Sequence, residues 1–330
     1  KNVAFLADGQ TLVAARDDGA FQRWRIEPDS PAAAPAWQIG DSAVLGRSSA
    51  AAQGPPAGDG VDTRIRDLAV SPDGRLAAAC HHDSVAVELV EVATGKAVGE
   101  LFASANPPGQ PAQAVCFSPD GQTLAEAVGS SIRLWNVKSR RIERQIQAKD
   151  RSQFVGSLDF SADGRRLAAG AGERLQLWDV AGGKLLAEWR AHRSQILVVA
   201  FSPSGLLASA GHDHLVRLWN GATGEAVATF SGHFLAVEAL SFSPDGRLLA
   251  SGGSNDAVKL WSLVTYEEVA TLHGLRGSIR GLSFSPTRLV LAATGVTADH
   301  HGHLRLWCAA SPDATWQPLI APQLEKPAAR

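Results

Sequence analysis

At 330 residues, with 45% hydrophobic and 19% charged residues and a net charge of −2, the chain has the composition of a folded protein. Lys and Arg are scattered, and their densest cluster, Arg140-Arg141-Ile-Glu-Arg144, reads as an exposed turn and strand edge, so no basic nucleic-acid footprint is expected. The longest apolar run, Ile196 to Phe201, falls far short of the roughly 20 residues that span a bilayer, and no signal peptide is visible, which argues against membrane insertion.

Three cysteines, Cys80, Cys116 and Cys308, lack disulfide or metal spacing, and read as small buried residues in a reducing compartment, hence a cytoplasmic location. The sequence contains no methionine, as expected of a fragment or processed form.

In chain order, one short phrase recurs: Phe21-Gln-Arg-Trp24, Ile132-Arg-Leu-Trp135, Leu175-Gln-Leu-Trp178, Val216-Arg-Leu-Trp219, Val258-Lys-Leu-Trp261 and Leu304-Arg-Leu-Trp307. The later copies return about every forty residues, the period of a four-stranded propeller blade. A seventh copy, Val87-Glu-Leu-Val90, carries valine in the tryptophan position, and Ala93-Thr-Gly95 follows it as Ala222-Thr-Gly224 follows Trp219.

One unit shows the reason for the period. Ile196 to Phe201 is a short apolar run, Ser202-Pro-Ser-Gly205 a turn, Leu206 to Ala210 a second run and Gly211-His-Asp213 a second turn. His214 to Trp219 then alternates apolar and polar residues, Gly221-Ala-Thr-Gly224 turns, and Glu225 to Phe230 forms a fourth strand. Ser-Pro-x-Gly turns recur at Ser71, Ser118, Ser202 and Ser243, because Pro presets φ and Gly accepts positive φ. So many short strands exceed what an open twisted sheet holds, and radial closure resolves this.

These repeats resemble the WD-repeat β-propeller family over nearly the whole chain, and the Ser-Pro-Asp-Gly turns resemble its bacterial members. The fold class expected is all-β: a seven-bladed propeller of four-stranded antiparallel blades, forming one domain. The blades fall at about 1–40, 63–105, 110–147, 152–190, 194–231, 235–272 and 277–320. An Ala/Gly/Pro/Ser-rich insertion at 41–62 is expected to be a flexible loop on the top face, connecting an outer strand to a channel strand. The signature dipeptide is eroded, since aspartate follows tryptophan only at Asp179.

A buried indole N–H needs an acceptor. The resemblance implies a serine on the second strand, backed by a histidine before the first strand and an aspartate before the third. Carried over by position, the fifth unit holds His192, Ser209, Asp213 and Trp219. The sixth holds His233, Ser251 and Trp261, with Asn255 at the aspartate position. A His-Ser-Asp trio also raises nucleophilic catalysis. Against this, the serine would lie buried under the tryptophan, and no nucleophile-elbow sequence accompanies it.

The family's partners usually bind the top face, which places Arg64, Phe154, Gln195, His212, Ser254, Ser278 and His300 as candidate partner-binding residues. Exposed arginines and aromatics are typical anchors, although Phe154 could equally pack against its neighbouring blade. His300, His301 and His303 are expected near Asp17 and Asp18 on one rim, a set able to bind a transition metal, although polar turns commonly hold such residues. No phosphate loop, paired carboxylates or Cys-His signature is found, so no catalytic residue, metal or cofactor is assigned. The function expected is a non-enzymatic scaffold or sensor within a larger multidomain protein, monomeric, binding a protein or peptide. The alternative is a propeller hydrolase or lyase with a His/Asp metal site at the channel rim.

The chain's first residues, Asn2-Val-Ala-Phe5, match a first strand. The seventh blade's fourth strand is therefore expected from Thr315-Trp316-Gln317-Pro318-Leu319, with Pro318 on an outer edge where a missing N–H costs little.

Overall fold

The computed structural model describes residues 3–15, 20–28, 37–47, 64–102, 110–147, 153–254, 257–275, 277–297, 302–309 and 314–319, with backbone only at 27–28, 37–47 and 317–319. Their strands form seven four-stranded antiparallel sheets, each with its strands side by side in chain order. Blade one comprises β1 to β4 (Val3–Phe5, Thr11–Ala15, Ala20–Pro28, Trp37–Arg47) and blade two β5 to β8 (Ile65–Val70, Leu76–His81, Val87–Glu91, Ala97–Leu101). Blade three comprises β9 to β12 (Ala114–Phe117, Thr123–Val128, Ser131–Asn136, Arg141–Gln147) and blade four β13 to β16 (Val155–Phe160, Arg166–Ala171, Arg174–Asp179, Lys184–Arg190). Blade five is β17 to β20 (Ile196–Phe201, Leu206–Gly211, Val216–Asn220, Ala226–Phe230) and blade six β21 to β24 (Val237–Phe242, Leu248–Gly253, Val258–Ser262, Glu268–Leu272). Blade seven is β25 to β28 (Ser278–Phe284, Val290–Val296, Gly302–Cys308, Gln317–Leu319).

The fourth strand of blade one corrects the expected extent of the loop insertion. Residues 41–47 belong to β4, where Val44 pairs with Gln22 and Ser42 with Trp24. The short apolar run Ala43-Val-Leu45 suits a strand, and only 48–62 of the expected loop remains, outside the described residues.

Apolar residues face the neighbouring blade, so each core cluster joins two sheets. Trp178 of blade four packs with Ala125, Ile132 and Leu134 of blade three, and Trp261 of blade six with Ala208, Val216 and Leu218 of blade five. The same packing closes the ring: Val3, Leu12 and Trp24 of blade one share a cluster with Val290, Ala292 and Leu306 of blade seven.

Polar contacts follow the same direction around the channel. The residue just before the channel-strand phenylalanine accepts the N–H of the next blade's phenylalanine in three places. Asp159 accepts from Phe201 at 2.7 Å, Ser241 from Phe284 at 3.1 Å and Ser283 from Phe5 at 3.1 Å. Two residues earlier in the strand, Asp67 accepts from Val115 and Ser157 from Val199, each at 3.0 Å. This belt uses backbone N–H groups that an innermost strand cannot pair within its own sheet.

At the C-terminal end, Pro318 of β28 lies opposite Trp307 of β27 on the outer edge of blade seven. Trp316 is buried against Phe284, ring centroids 5.9 Å apart and edge to face, which anchors this segment to its blade.

Candidate functional site

In each blade the turn between second and third strands and the connection from the fourth strand to the next channel strand open on one face. Channel strands β1, β5, β9, β13, β17, β21 and β25 line a central cavity of about 1250 Å³. Arg64, Gln195, His212, Ser254 and Ser278 all line it, so five of the seven candidate residues gather at one mouth. Phe154 stands outside that lining. It is 57% exposed, so it does not pack into the neighbouring blade, and Phe234 of the equivalent connection in blade six is 81% exposed beside exposed Leu235. His300, like His301, Asp17, Asp18 and Asn255, lies outside the described residues; no metal-binding group occurs among the described ones.

The wall of the mouth is itself ordered by hydrogen bonds. Glu238 accepts from Ser254 at 2.8 Å and pairs with Arg280 at 2.6 Å, tying blade six to blade seven. Arg66 donates to Gln113 of blade three and, at 3.2 Å, to Nδ1 of His82. A guanidinium only donates, so that ring nitrogen is the acceptor.

Beneath the mouth, blade five holds a relay. The Trp219 indole N–H donates to Ser209 Oγ at 2.9 Å, Ser209 lies 2.7 Å from His192 Nε2, and His192 Nδ1 lies 2.8 Å from Asp213. Read as consecutive donors, Ser209 gives its proton to Nε2 and Nδ1–H gives to the carboxylate. Arg217 Nη1 approaches His192 Nδ1 at 2.7 Å and Asp213 at 2.8 Å, but Nδ1 is a donor, so its hydrogen bond is to Asp213. Burial depresses the His192 pKa more than Asp213 raises it, leaving the ring neutral. Burial acts to raise the Asp213 pKa, but hydrogen bonds from His192 and Arg217 outweigh it and bring the carboxyl to about 2. Ser209 is fully buried, so no substrate reaches the trio and its chemistry is structural. Blade six repeats the inner half: His233 Nε2 and the Trp261 indole both lie 2.7 Å from Ser251 Oγ.

Blade three solves the same problem differently, and sequence reasoning missed it. Trp135 donates to the carboxylate of buried Glu126 at 2.7 Å, and buried Arg133 lies 3.6 Å from that oxygen. Glu126 faces Arg133 across the sheet as Ser209 faces Arg217. The signal was present, but blade three has a shorter turn, so its acceptor lies nine residues before the tryptophan instead of ten. In blade four, Ala169 takes this place, and the Trp178 N–H is buried without a hydrogen bond among the described residues.

Three matches to the family model described as WD domain, G-beta repeat fall at residues 143–179, 183–220 and 224–262. They cover about a third of the chain and lie within a ring of seven blades of the same pattern. The chain is a seven-bladed β-propeller that carries WD repeats. Each matched stretch begins in or just before an outer strand and ends at the tryptophan phrase of the next blade, so the repeat in sequence is offset from the blade in space. The WD-repeat chain is also 36% identical over 83 residues to the small ribosomal subunit protein RACK1 of Medicago sativa. That match covers 25% of this chain and 24% of the relative, about a quarter of each. WD-repeat propellers are typically protein-interaction scaffolds, and no helix among the described residues is long and apolar enough to cross a membrane.

Proposed function

We propose that this propeller is a non-enzymatic interaction platform that binds a protein or peptide partner over the mouth of its channel. The observation that carries the reading is the gathering of Arg64, Gln195, His212, Ser254 and Ser278 around one cavity, with exposed Phe154, Phe234 and Leu235 on the same face. Large exposed apolar side chains beside arginines are the composition of interface anchors, not of an inert surface. The one hydroxyl–imidazole–carboxylate trio among the described residues is buried beneath a tryptophan, which favours binding over catalysis. Three buried free cysteines fit a reducing compartment.

The test pairs Arg64→Glu with Phe154→Ala in a capture experiment. Both side chains are exposed, so partner capture should fail while the melting temperature stays close to the parent's. Undiminished capture by the double variant would move the site elsewhere on the propeller.

A further inference from the structure

The mouth is not uniform in charge. At the strand position four before the channel-strand phenylalanine (Val70 in blade two), successive blades place Arg66, Gln113, Gly156, Leu197, Glu238 and Arg280. Arg280 and Glu238 neutralise each other in their 2.6 Å pair. Arg66 has a different environment: its two terminal nitrogens donate to Gln113 and His82, both uncharged acceptors. Its Nε is buried and makes no hydrogen bond among the described residues. The carboxylate of the same strand, Asp67, engages its oxygens with the N–H groups of Leu68 and Val115, both at 3.0 Å. Exposed Arg64, two residues away, lines the same cavity. Arg64 and Arg66 thus line the blade-two side of the mouth, while blades four and six carry the exposed apolar residues Phe154, Phe234 and Leu235.

A guanidinium in a concave, partly desolvated wall matches a carboxylate. We propose that the partner is an acidic, aromatic-bearing peptide segment whose carboxylate docks on Arg66 beside Arg64, with apolar side chains over Phe154, Phe234 and Leu235. This rests on the top-face reading above and adds the chemistry of the ligand. A nucleic acid fits poorly, because a sugar-phosphate backbone needs many cations along its path and the chain as a whole has a net charge of −2.

The probe is a fluorescein-labelled peptide of alternating glutamate and phenylalanine, read by polarisation, with a lysine–phenylalanine peptide as control. The glutamate peptide should bind and the lysine peptide should not, and binding should weaken as salt rises. Gln113→Glu sets a carboxylate against Arg66 without removing it, and should weaken binding about 10- to 100-fold, the value of a charge-assisted pair. Arg66→Gln should do the same, and stands as the second variant if Gln113→Glu does not fold. Absence of binding by the parent, parent-like binding by the folded variants, or displacement by equimolar inorganic phosphate would each overturn the proposal. If these fail while Arg64→Glu with Phe154→Ala still abolishes partner capture, the top-face reading stands and only the ligand chemistry falls.

Discussion

Ser283 in the last blade accepts the backbone N–H of Phe5 in the first, at 3.1 Å and 278 positions away in sequence. Ser285 reinforces the seam by donating to the Gly9 carbonyl at 2.9 Å. Among the described residues no strand is shared between these blades, and closure there rests on side-chain packing and these two hydroxyls.

Seam variants should accordingly lower the stability of the whole ring. Ser283→Ala should cost about 1 kcal/mol, the net value of one hydrogen bond. Gly9→Ala should cost more, because Gly9 has a φ of 66° and a Cβ there would lie 1.8 Å from Thr287 Oγ1. Urea denaturation checks both, and parent-like midpoints would show that the seam carries no load.

Removing 315–330 should uncover the outer edge of β27 and withdraw Trp316 from Phe284. The expected result is a lower melting temperature or association through the bared strand, seen by light scattering. A truncated chain that remains monodisperse with unchanged melting would contradict this closure.

The relay in blade five should make it a stability anchor. Trp219→Ala should cost about 3 to 5 kcal/mol, as for other buried aromatics, and Asp213→Ala about 1 to 3 kcal/mol through the histidine it leaves unpaired. The pH dependence has a defined sign. Asp213 has a folded pKa near 2 against 3.8, so its contribution of about 2 kcal/mol is present above pH 4 and is lost as pH falls toward 2. His192 has a depressed pKa, so protonation favours the unfolded chain once pH drops below 6.5. The stability gap between the parent and Asp213→Asn, measured by denaturant titration at stepped pH, should shrink in acid. A gap that widens would refute the network.

In blade three, Glu126→Ala would strand both a buried indole N–H and a buried arginine, and should cost about 3 to 5 kcal/mol. Glu126→Gln keeps an acceptor for Trp135 and should cost less. Burial raises the Glu126 pKa despite Trp135 and Arg133, so ionising it opposes folding, and the parent should lose part of its advantage over Glu126→Gln as pH rises through that pKa. Identical losses for both variants would place Glu126 outside any role as acceptor.

The blade pattern was legible because each unit repeats its own turns and tryptophan, so a misread residue in one copy is corrected by the others. The valine copy at Val90 and the final strand at Gln317–Leu319 were readable for that reason. Features that depend on two different blades were not. The Asp159, Ser241 and Ser283 belt repeats in sequence, but nothing in one strand reveals that its acceptor serves the next blade's N–H. Strand β4 was misjudged beyond residue 40 because its tail runs into an Ala/Gly/Ser-rich stretch, where composition outweighs a short apolar run. At the mouth, aligning the units on their channel strands and turns brought out five residues that line the cavity, whereas the exposure of Phe234 and the partners of Arg66 needed coordinates.

On the proposed platform the partner covers the channel mouth. A photo-reactive benzoylphenylalanine placed at Phe154, and in a second protein at exposed Asp163 in the turn on the opposite face, measures this directly by mass spectrometry of the cross-linked partner. Cross-links should form from position 154 and be absent from 163. Cross-linking from 163 that equals or exceeds that from 154 would contradict the account.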